Sequence, residues 1–189
     1  MQKQNLRAQL TKIRQSITDK KQKDKLLCER LSKLLHAKYP QAKNVFTYVS
    51  IGSEADTRGF IAQMADTYTL YYPLTGKSGD MLPARAVRFK YLNPNRCGNL
   101  PSDCVSHAHE PIIPEITVIP LLGFNEQLYR IGYGRGCYDR YLKGKKTVKI
   151  GLAYDEQLCD FIPDPHDIAL DYLLTPTRTL AKRQVTTKE

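Results

Sequence analysis

Several features that would indicate a zinc protein, a disulfide scaffold or a membrane protein are absent from this chain of 189 residues. Its five cysteines are odd in number and none are spaced as C-x-x-C, which argues against a zinc site and a disulfide framework. The first ten residues, MQKQNLRAQL, lack the apolar run of a signal peptide. No stretch approaches the roughly 20 apolar residues that a membrane-spanning helix needs. We therefore expect a cytoplasmic protein with no membrane partner.

Acidic residues are scarce relative to basic ones. The chain has 29 Lys and Arg against 19 Asp and Glu, which gives a formal net charge of +10. Such a surplus attracts anions, so nucleotides, polyanionic metabolites, nucleic acid and anionic lipid are all compatible partners. The basic residues are scattered and form no long arginine-rich arm. A nucleic-acid-binding module, which needs a concentrated basic face with stacking aromatics, is therefore the weaker alternative.

The N-terminal quarter has the apolar periodicity of helices. Leucine and isoleucine recur at helical spacing over residues 2–17, and a second stripe follows Thr18 and stops before Pro40. Thr18 is of a type preferred at the N-cap, and the residue before a proline disfavours the helical conformation. We predict two helices within residues 2–38, the second capped by Thr18.

After residue 40 the hydrophobic pattern becomes that of strands alternating with helices. β-Branched, aromatic or apolar runs predict strands over 45–51, 68–72, 85–92, 116–122, 149–154 and 172–175. A helix that begins after Asp56 or Thr57 separates the first two strands, which implies a βαβ crossover and a parallel sheet. We expect one three-layer α/β/α domain over 1–189, with a mainly parallel sheet and a loose tail after about residue 178. Its ligand site should lie at the carboxyl ends of the strands.

The strongest local signal is the segment RIGYGRGCYD, residues 130–139. Alternate glycines between a predicted strand and a predicted helix let backbone N–H groups turn toward a phosphate. The helix N-terminus would add partial positive charge, and Arg130 and Arg135 would add forked donors. Asp139 could hold Mg²⁺ through one carboxylate. The spacing matches neither G-x-G-x-x-G nor a P-loop, and the alternative interpretation is a solvated turn.

The segment PLLGFNEQLYRIGYGRGCYDRYL, residues 120–142, resembles the signature of the 5-formyltetrahydrofolate cyclo-ligase family. Further segments resemble other family elements in the same order: KQNLR (3–7), YVSIGSEADT (48–57), HEP (109–111), IGLAYDEQ (150–157) and PHDIALDYLLTPT (165–177). Asn125 and Leu128 depart from the family pattern, in which an acidic residue and a turn glycine are common. The resemblance implies a fold similar to that of sugar-phosphate isomerases and CoA transferases.

The resemblance also implies a reaction, the ATP-dependent closure of 5-formyltetrahydrofolate to 5,10-methenyltetrahydrofolate. The formyl oxygen takes the γ-phosphoryl group to give an N5-iminium phosphate, N10 attacks, and phosphate leaves. This chemistry needs positioning and charge neutralisation more than a protein nucleophile, and no Ser-His-Asp or Cys-His pairing stands out. The partners are then small molecules, 5-formyltetrahydrofolate and ATP, and we expect a monomer. The alternative is a relative that binds folate and nucleotide without turnover.

Nucleotide-binding roles follow from the resemblance where residues match. Lys3 and Arg7 are four residues apart, so they share a helix face and would contact ATP phosphates. The glycine-containing loop would wrap the triphosphate, which assigns to ATP binding Arg130, Ile131, Gly132, Tyr133, Gly134, Arg135, Gly136, Cys137 and Tyr138. Arg130, Arg135 and Tyr138 are the residues that we expect to be catalytic.

Folate and metal roles follow in the same way. Glu54 matches a folate-contacting acid, because a carboxylate can accept two N–H bonds from the amino-pyrimidine edge of a pterin. Val49 would form an apolar wall, and Tyr133 and Tyr138 could stack on a flat ring. Asp139 and Asp171 match Mg²⁺-binding positions, although Asp171 is equally well interpreted as a turn or cap residue.

Overall fold

The computed structural model describes residues 3–75, 80–85 and 112–182. Its described helices are α1 (Lys3–Gln15), α2 (Lys20–Lys38), α3 (Arg58–Met64) and α4 (Cys137–Leu142), with a short 3₁₀ helix over Asp155–Gln157. The two N-terminal helices match the predicted ones closely. The predicted cap Thr18 is wrong, because Asp19 occupies the N-cap position in a left-handed conformation without a side-chain capping bond.

A seven-stranded sheet forms the centre of the described structure. Its strands are β1 (Asn44–Phe46), β2 (Thr69–Thr75), β3 (Met81–Arg85), β4 (Ile116–Pro120), β7 (Val148–Leu152), β8 (Tyr172–Leu174) and β9 (Thr179–Ala181), and β5 (Gly123–Phe124) and β6 (Arg130–Ile131) form a separate hairpin. The order across the sheet is β3-β2-β1-β4-β7-β8-β9. The five inner strands are parallel, and β3 and β9 are antiparallel edges. The predicted mainly parallel sheet is confirmed.

The ends of two predicted strands differ most from those observed. The first stops at Phe46 rather than residue 51, and the second continues through Pro73. The pairing of β1 with β2 extends only to Tyr71, so Pro73 costs no ladder hydrogen bond on that side. The predicted loose tail is wrong as far as Ala181, because β9 pairs with β8. Apart from Arg85, the predicted strand over 85–92 lies outside the described residues.

Alternation along the strands supplies both faces of the sheet with apolar side chains. On one face, Val45 and Val118 share a core with α2 and α3. On the other face, Phe46 and Ile119 pack with Tyr141 of α4 and with neighbouring leucines. Helices therefore cover both faces, and the three-layer α/β/α prediction is confirmed.

Helix α1 lies against the β5–β6 hairpin. Its buried Leu6 and Leu10 form a small core with Leu122 and Ile131. Gly123 permits this close contact, because a Cβ atom there would lie 2.6 Å from Leu10 Cδ1 and 2.9 Å from the Cys159 sulfur, so that both side chains would have to shift. The close approach places the polar face of α1 beside the segment that follows β6.

The chain leaves β1 and β4 in opposite directions across the sheet. After β1 it crosses through α3 to β2, whereas after β4 it continues through the hairpin and α4 to β7 on the other side. The carboxyl ends of two such strands open a crevice, which is where α/β sheets bind ligands. The segments that follow β1 and β4 are therefore the ones that build the site.

Candidate active site

A cavity of about 600 Å³ lies at this crevice. It is lined by α1, by the segment after β1, by the ends of β2 and β4, by residues 130–139 and by residues 164–167. All but one of the residues predicted to bind nucleotide, folate or metal line it. The exception is Asp171, whose carboxylate accepts a hydrogen bond from the Lys149 N–H at 2.8 Å and pairs with the Lys149 ammonium. That environment fits the alternative interpretation of Asp171 as a structural residue.

The glycine-containing loop approaches α1 so closely that side chains would collide. Gly134 and Gly136 have φ angles of 93° and 62°, which residues with a Cβ rarely adopt. A Cβ on Gly134 would lie 3.3 Å from Arg7 Cζ, and Arg7 Nε donates to the Gly132 carbonyl at 3.0 Å. Arg7 thus anchors the loop. Helix α4 has only six residues, so its dipole adds less positive charge than the sequence predicted.

The two arginines of this loop are in opposite situations. Arg130 is buried, and its guanidinium donates to the Ile168 carbonyl and to Asp139 Oδ1, each at 2.8 Å. It therefore braces Asp139 and the segment around residue 168. Arg135 is exposed at the cavity, and none of the described residues forms a hydrogen bond or ion pair with its guanidinium. Of the two, Arg135 is the one available to a ligand.

The opposite wall of the cavity carries a buried carboxylate. Glu54 is 5% exposed, and it accepts hydrogen bonds from the Tyr133 hydroxyl at 2.6 Å and from the Ile51 N–H at 2.9 Å. Burial raises the pKa of Glu54, and these two bonds and the charges of Arg14 and Lys20 oppose that rise without cancelling it. An incoming amino-pyrimidine edge would therefore meet an acceptor that is already oriented.

One aliphatic and one aromatic side chain share the cavity with this carboxylate. Val49 and Tyr138 line the same cavity, as predicted for walls around a flat ring. Tyr138 packs at 6.3 Å from the Phe46 ring, and burial raises its pKa. The tyrosine therefore stays protonated and presents an apolar face with a hydroxyl tip.

Three residues that were not predicted to bind a ligand form a cluster at the other end of the cavity. Donor atoms of Asp164, His166 and Asp167 all lie within 4.8 Å of one another, a spacing that a metal ion could bridge. The Lys3 ammonium pairs with the Asp164 and Asp167 carboxylates, at 2.6 Å each. Burial works to lower the pKa of Lys3, but the two carboxylates outweigh it and raise the pKa. Carboxylate oxygens suit Mg²⁺ or Mn²⁺, so Asp164 and Asp167 fit such an ion.

Sequence reasoning also missed Arg14 and gave no role to the 164–167 cluster. Arg14 follows Leu10 by four residues, so a charged residue occupies the apolar stripe of α1. That position was the available signal. The cluster had only the consecutive pair His166 and Asp167 as its signal, and folding adds Asp164 and Lys3 to it.

The two departures from the family pattern keep the hairpin geometry. Leu128 takes a φ of 66°, the conformation that a glycine adopts without strain, and its buried side chain offsets part of the cost. Its carbonyl accepts the Leu170 N–H at 2.8 Å. Asn125 Oδ1 accepts the Tyr129 N–H at 3.0 Å, and Nδ2 donates to the Phe161 carbonyl. The entry to Arg130 is therefore well formed.

No helix among the described residues is long and apolar enough to cross a membrane.

Comparisons with known proteins give the family of this chain. The family model of the 5-formyltetrahydrofolate cyclo-ligase family matches residues 1–176. The 5-formyltetrahydrofolate cyclo-ligase of Mycoplasma genitalium is 32% identical over 172 residues, covering 89% of this chain and 90% of that protein. That of Escherichia coli K12 is 29% identical and covers 72% of this chain and 80% of its own length.

Solved structures give the same result. A 5,10-methenyltetrahydrofolate synthetase from Mycoplasma pneumoniae superposes with a TM-score of 0.74 at 28% identity, over 93% of this chain and 99% of that chain. The Aquifex aeolicus 5,10-methenyltetrahydrofolate synthetase superposes at 0.79 with 23% identity, over 100% and 97% of the two chains, and supports the fold. Since the family match spans nearly the whole sequence, the chain belongs to the 5-formyltetrahydrofolate cyclo-ligase family.

Proposed function

We propose that this protein converts 5-formyltetrahydrofolate to 5,10-methenyltetrahydrofolate with consumption of ATP and release of ADP and phosphate. The observation that carries the proposal is the composition of the single cavity described above. One wall presents a buried, oriented carboxylate on Glu54, and the other presents a glycine-containing loop with the exposed cation Arg135. The first wall suits the amino-pyrimidine edge of a pterin, and the second suits a triphosphate.

The reaction proceeds in two displacements on this arrangement. The formyl oxygen attacks the γ-phosphorus, ADP leaves, and an N5-iminium phosphate forms. N10 then attacks the former formyl carbon and loses its proton, and phosphate departs as the ring closes. Arg135 and the loop N–H groups neutralise charge on the phosphoryl oxygens, whereas Glu54 holds the pterin so that the formyl oxygen faces the nucleotide.

Magnesium is the metal that we propose for the nucleotide. Two carboxylates that line the cavity would hold it. Asp139 is predicted from the sequence, and Asp167 is added by the structure. A divalent ion would supply charge neutralisation between the β- and γ-phosphates. Lys3 would then exchange Asp167 for a phosphate oxygen.

The remaining expectations concern the state of the protein. We propose a single domain that acts as a monomer in the cytoplasm on small-molecule substrates. The seven-stranded sheet supports one domain, and Cys28, Cys137 and Cys159 are free thiols, as a reducing compartment allows.

The test is a turnover assay on 5-formyltetrahydrofolate. Methenyl-folate is followed by its absorbance with Mg-ATP, with Mg-ADP and without nucleotide, and phosphate release is measured in parallel. Equal amounts of methenyl-folate and phosphate, formed only with Mg-ATP, are expected. Folate binding without turnover in the presence of Mg-ATP would identify the protein as a non-catalytic relative instead.

A further inference from the structure

Arg14 is a buried cation that lies behind the folate wall of the cavity. It is 5% exposed, and it belongs to α1, whose other two basic residues near the site, Lys3 and Arg7, line the cavity directly. Its Nε donates to the Ser53 hydroxyl at 3.0 Å and its Nη1 donates to the Leu121 carbonyl at 3.1 Å. One guanidinium therefore joins α1, the turn after β1 and the residue that follows β4.

The same guanidinium contacts the glycine-containing loop. Arg14 Cζ lies 5.4 Å from the centroid of the Tyr133 ring, within the range of a cation–π interaction. The Tyr133 hydroxyl in turn donates to Glu54 at 2.6 Å. Tyr133 is 47% exposed, and two buried groups contact it, Arg14 at its ring and Glu54 at its hydroxyl.

We propose that Arg14 is a positioning residue that holds the Tyr133–Glu54 pair in the geometry that accepts the pterin. The inference rests on the proposed function, because it assumes that Glu54 binds folate. It assigns Arg14 to folate affinity and not to nucleotide affinity, although Arg14 shares a helix with the proposed nucleotide ligands Lys3 and Arg7. Arg14 touches neither substrate and acts through Ser53 and Tyr133.

Electrostatics give the proposal a pH signature. The titratable and charged groups that face Glu54 come from several elements: Arg14 of α1, Lys20 of α2, Tyr48 after β1, Tyr133 of the loop, Tyr138 of α4 and Tyr154 after β7. Burial raises the pKa of Glu54, and the Arg14 charge opposes that rise. Loss of the charge would raise the pKa further, so the carboxylate would protonate at a higher pH. The range of low pH over which folate binding weakens, the acid limb of the pH profile, would then extend to higher pH.

The experiment measures equilibrium binding of 5-formyltetrahydrofolate and, separately, of Mg-ADP by calorimetry between pH 5.5 and 8.5. In Arg14→Met we expect the folate Kd to rise about 30-fold at pH 7, since a cation–π contact and a charge-assisted bond are lost. The acid limb should shift to higher pH, and the Mg-ADP Kd should change less than about twofold. Arg14→Lys should keep the position of the acid limb and recover part of the affinity.

Arg30→Met is the matched control. Arg30 of α2 also donates to two backbone carbonyls, those of Pro176 and Thr177, but it lies outside the cavity lining. Its replacement should leave both affinities and the acid limb unchanged.

Two results would overturn the assignment. One is a folded Arg14→Met protein with wild-type folate affinity and acid limb, and the other is equal weakening of folate and Mg-ADP. If Arg14→Met does not fold, Arg14→Gln, which also removes the charge, is tested for the same two outcomes. Failure of the wild-type protein to bind 5-formyltetrahydrofolate would instead refute the proposed function itself.

Discussion

The two ends of the cavity differ in how their charged groups are satisfied. At the folate end, Glu54 is buried and is oriented by Tyr133 and a backbone N–H, both of which are neutral donors. At the nucleotide end, Lys3 is half-buried and its charge is balanced by Asp164 and Asp167. The first end is organised before any ligand arrives. The second end holds opposite charges in contact, and these must separate when phosphates and a cation enter.

This difference has a thermodynamic consequence. A preformed acceptor loses little entropy on binding, so each group removed there should cost most of its interaction energy. At the end with ion pairs, part of what a ligand gains is spent on breaking contacts that already exist. Substitutions at the two ends should therefore differ in size and even in sign.

The largest effect is expected at Glu54. Glu54→Gln removes the charge and replaces one acceptor oxygen with a donor NH₂ group. Because two charge-assisted hydrogen bonds to the substrate would be lost, kcat/KM for 5-formyltetrahydrofolate should fall about 10³-fold. The Mg-ADP affinity should stay within about twofold. Steady-state kinetics and calorimetry measure the two quantities. Glu126→Gln, in the exposed hairpin turn, is the control, and comparable losses for both ligands would contradict the division of the cavity.

Arg135 tests the exposed part of the loop. Arg135→Ala should lower kcat about 10²-fold, because a guanidinium aimed at transition-state charge is removed. The KM for folate should change little. Lys143→Ala, exposed at the end of α4, serves as the comparison. A near-normal kcat in Arg135→Ala would remove the role given to this residue.

Lys3 should show an effect of opposite sign for metal. In Lys3→Met the carboxylates of Asp164 and Asp167 lose their counter-charge, so Mn²⁺ should bind without nucleotide about 10-fold more tightly than to the wild type. Mg-ADP should bind more weakly, because a phosphate contact is lost. Calorimetric titration with each ligand provides the measurement, with Lys12→Met on the same helix as control. Unchanged Mn²⁺ affinity would show that the ion pair does not oppose the metal.

The smallest effect concerns the support of the folate end. Asp56 accepts bonds from Ser50 and Arg58, and although burial raises its pKa, these bonds outweigh it and lower the pKa from 3.8 to about 2. The stabilisation is present above the unfolded pKa and is lost as pH falls through the folded one. Asp56→Asn should lower the free energy of unfolding by about 1 kcal/mol at pH 7, after allowance for solvent screening.

Urea denaturation at several pH values measures this difference. The gap between wild type and Asp56→Asn should close between about pH 4 and pH 2, as the carboxylate becomes protonated in both states of the wild-type protein. Asp66→Asn, an exposed acid after α3, should show a smaller difference at every pH. A gap that does not change with pH would assign the effect to packing rather than to the charge.

Local signals were sufficient for most of the cavity. The glycines at 132, 134 and 136 and the helix-face pair Lys3 and Arg7 are consecutive or regularly spaced, so they can be recognised before folding. Glu54 could be placed through its resemblance to a family motif. The mainly parallel orientation of the strands could be predicted from one helix between two apolar runs, whereas their order across the sheet was not predicted.

What could not be predicted depends on distant partners. Arg14 interrupts an apolar stripe, but its role becomes visible only when Ser53, Leu121 and Tyr133 are brought around it. Asp164 can be recognised as part of the site only from its ion pair with Lys3, which is 161 residues away in the sequence. The ends of strands depend on the length of their neighbours, which is why β2 passes Pro73 and β9 was missed. Asp171 was predicted as a ligand from its match to a family position, and only the structure pairs it with Lys149.

The absence of a side chain at Gly123 determines how closely α1 packs against the β5–β6 hairpin. A single methyl group there would have to push Leu10 outward, and the helix is stiff over its thirteen residues. Lys3, Arg7 and Arg14 project from one face of this helix. A displacement at its middle would therefore move residues beside both the proposed phosphate site and the proposed pterin site. The single hydrogen at position 123 thus allows α1 to place these three basic side chains along the proposed binding site.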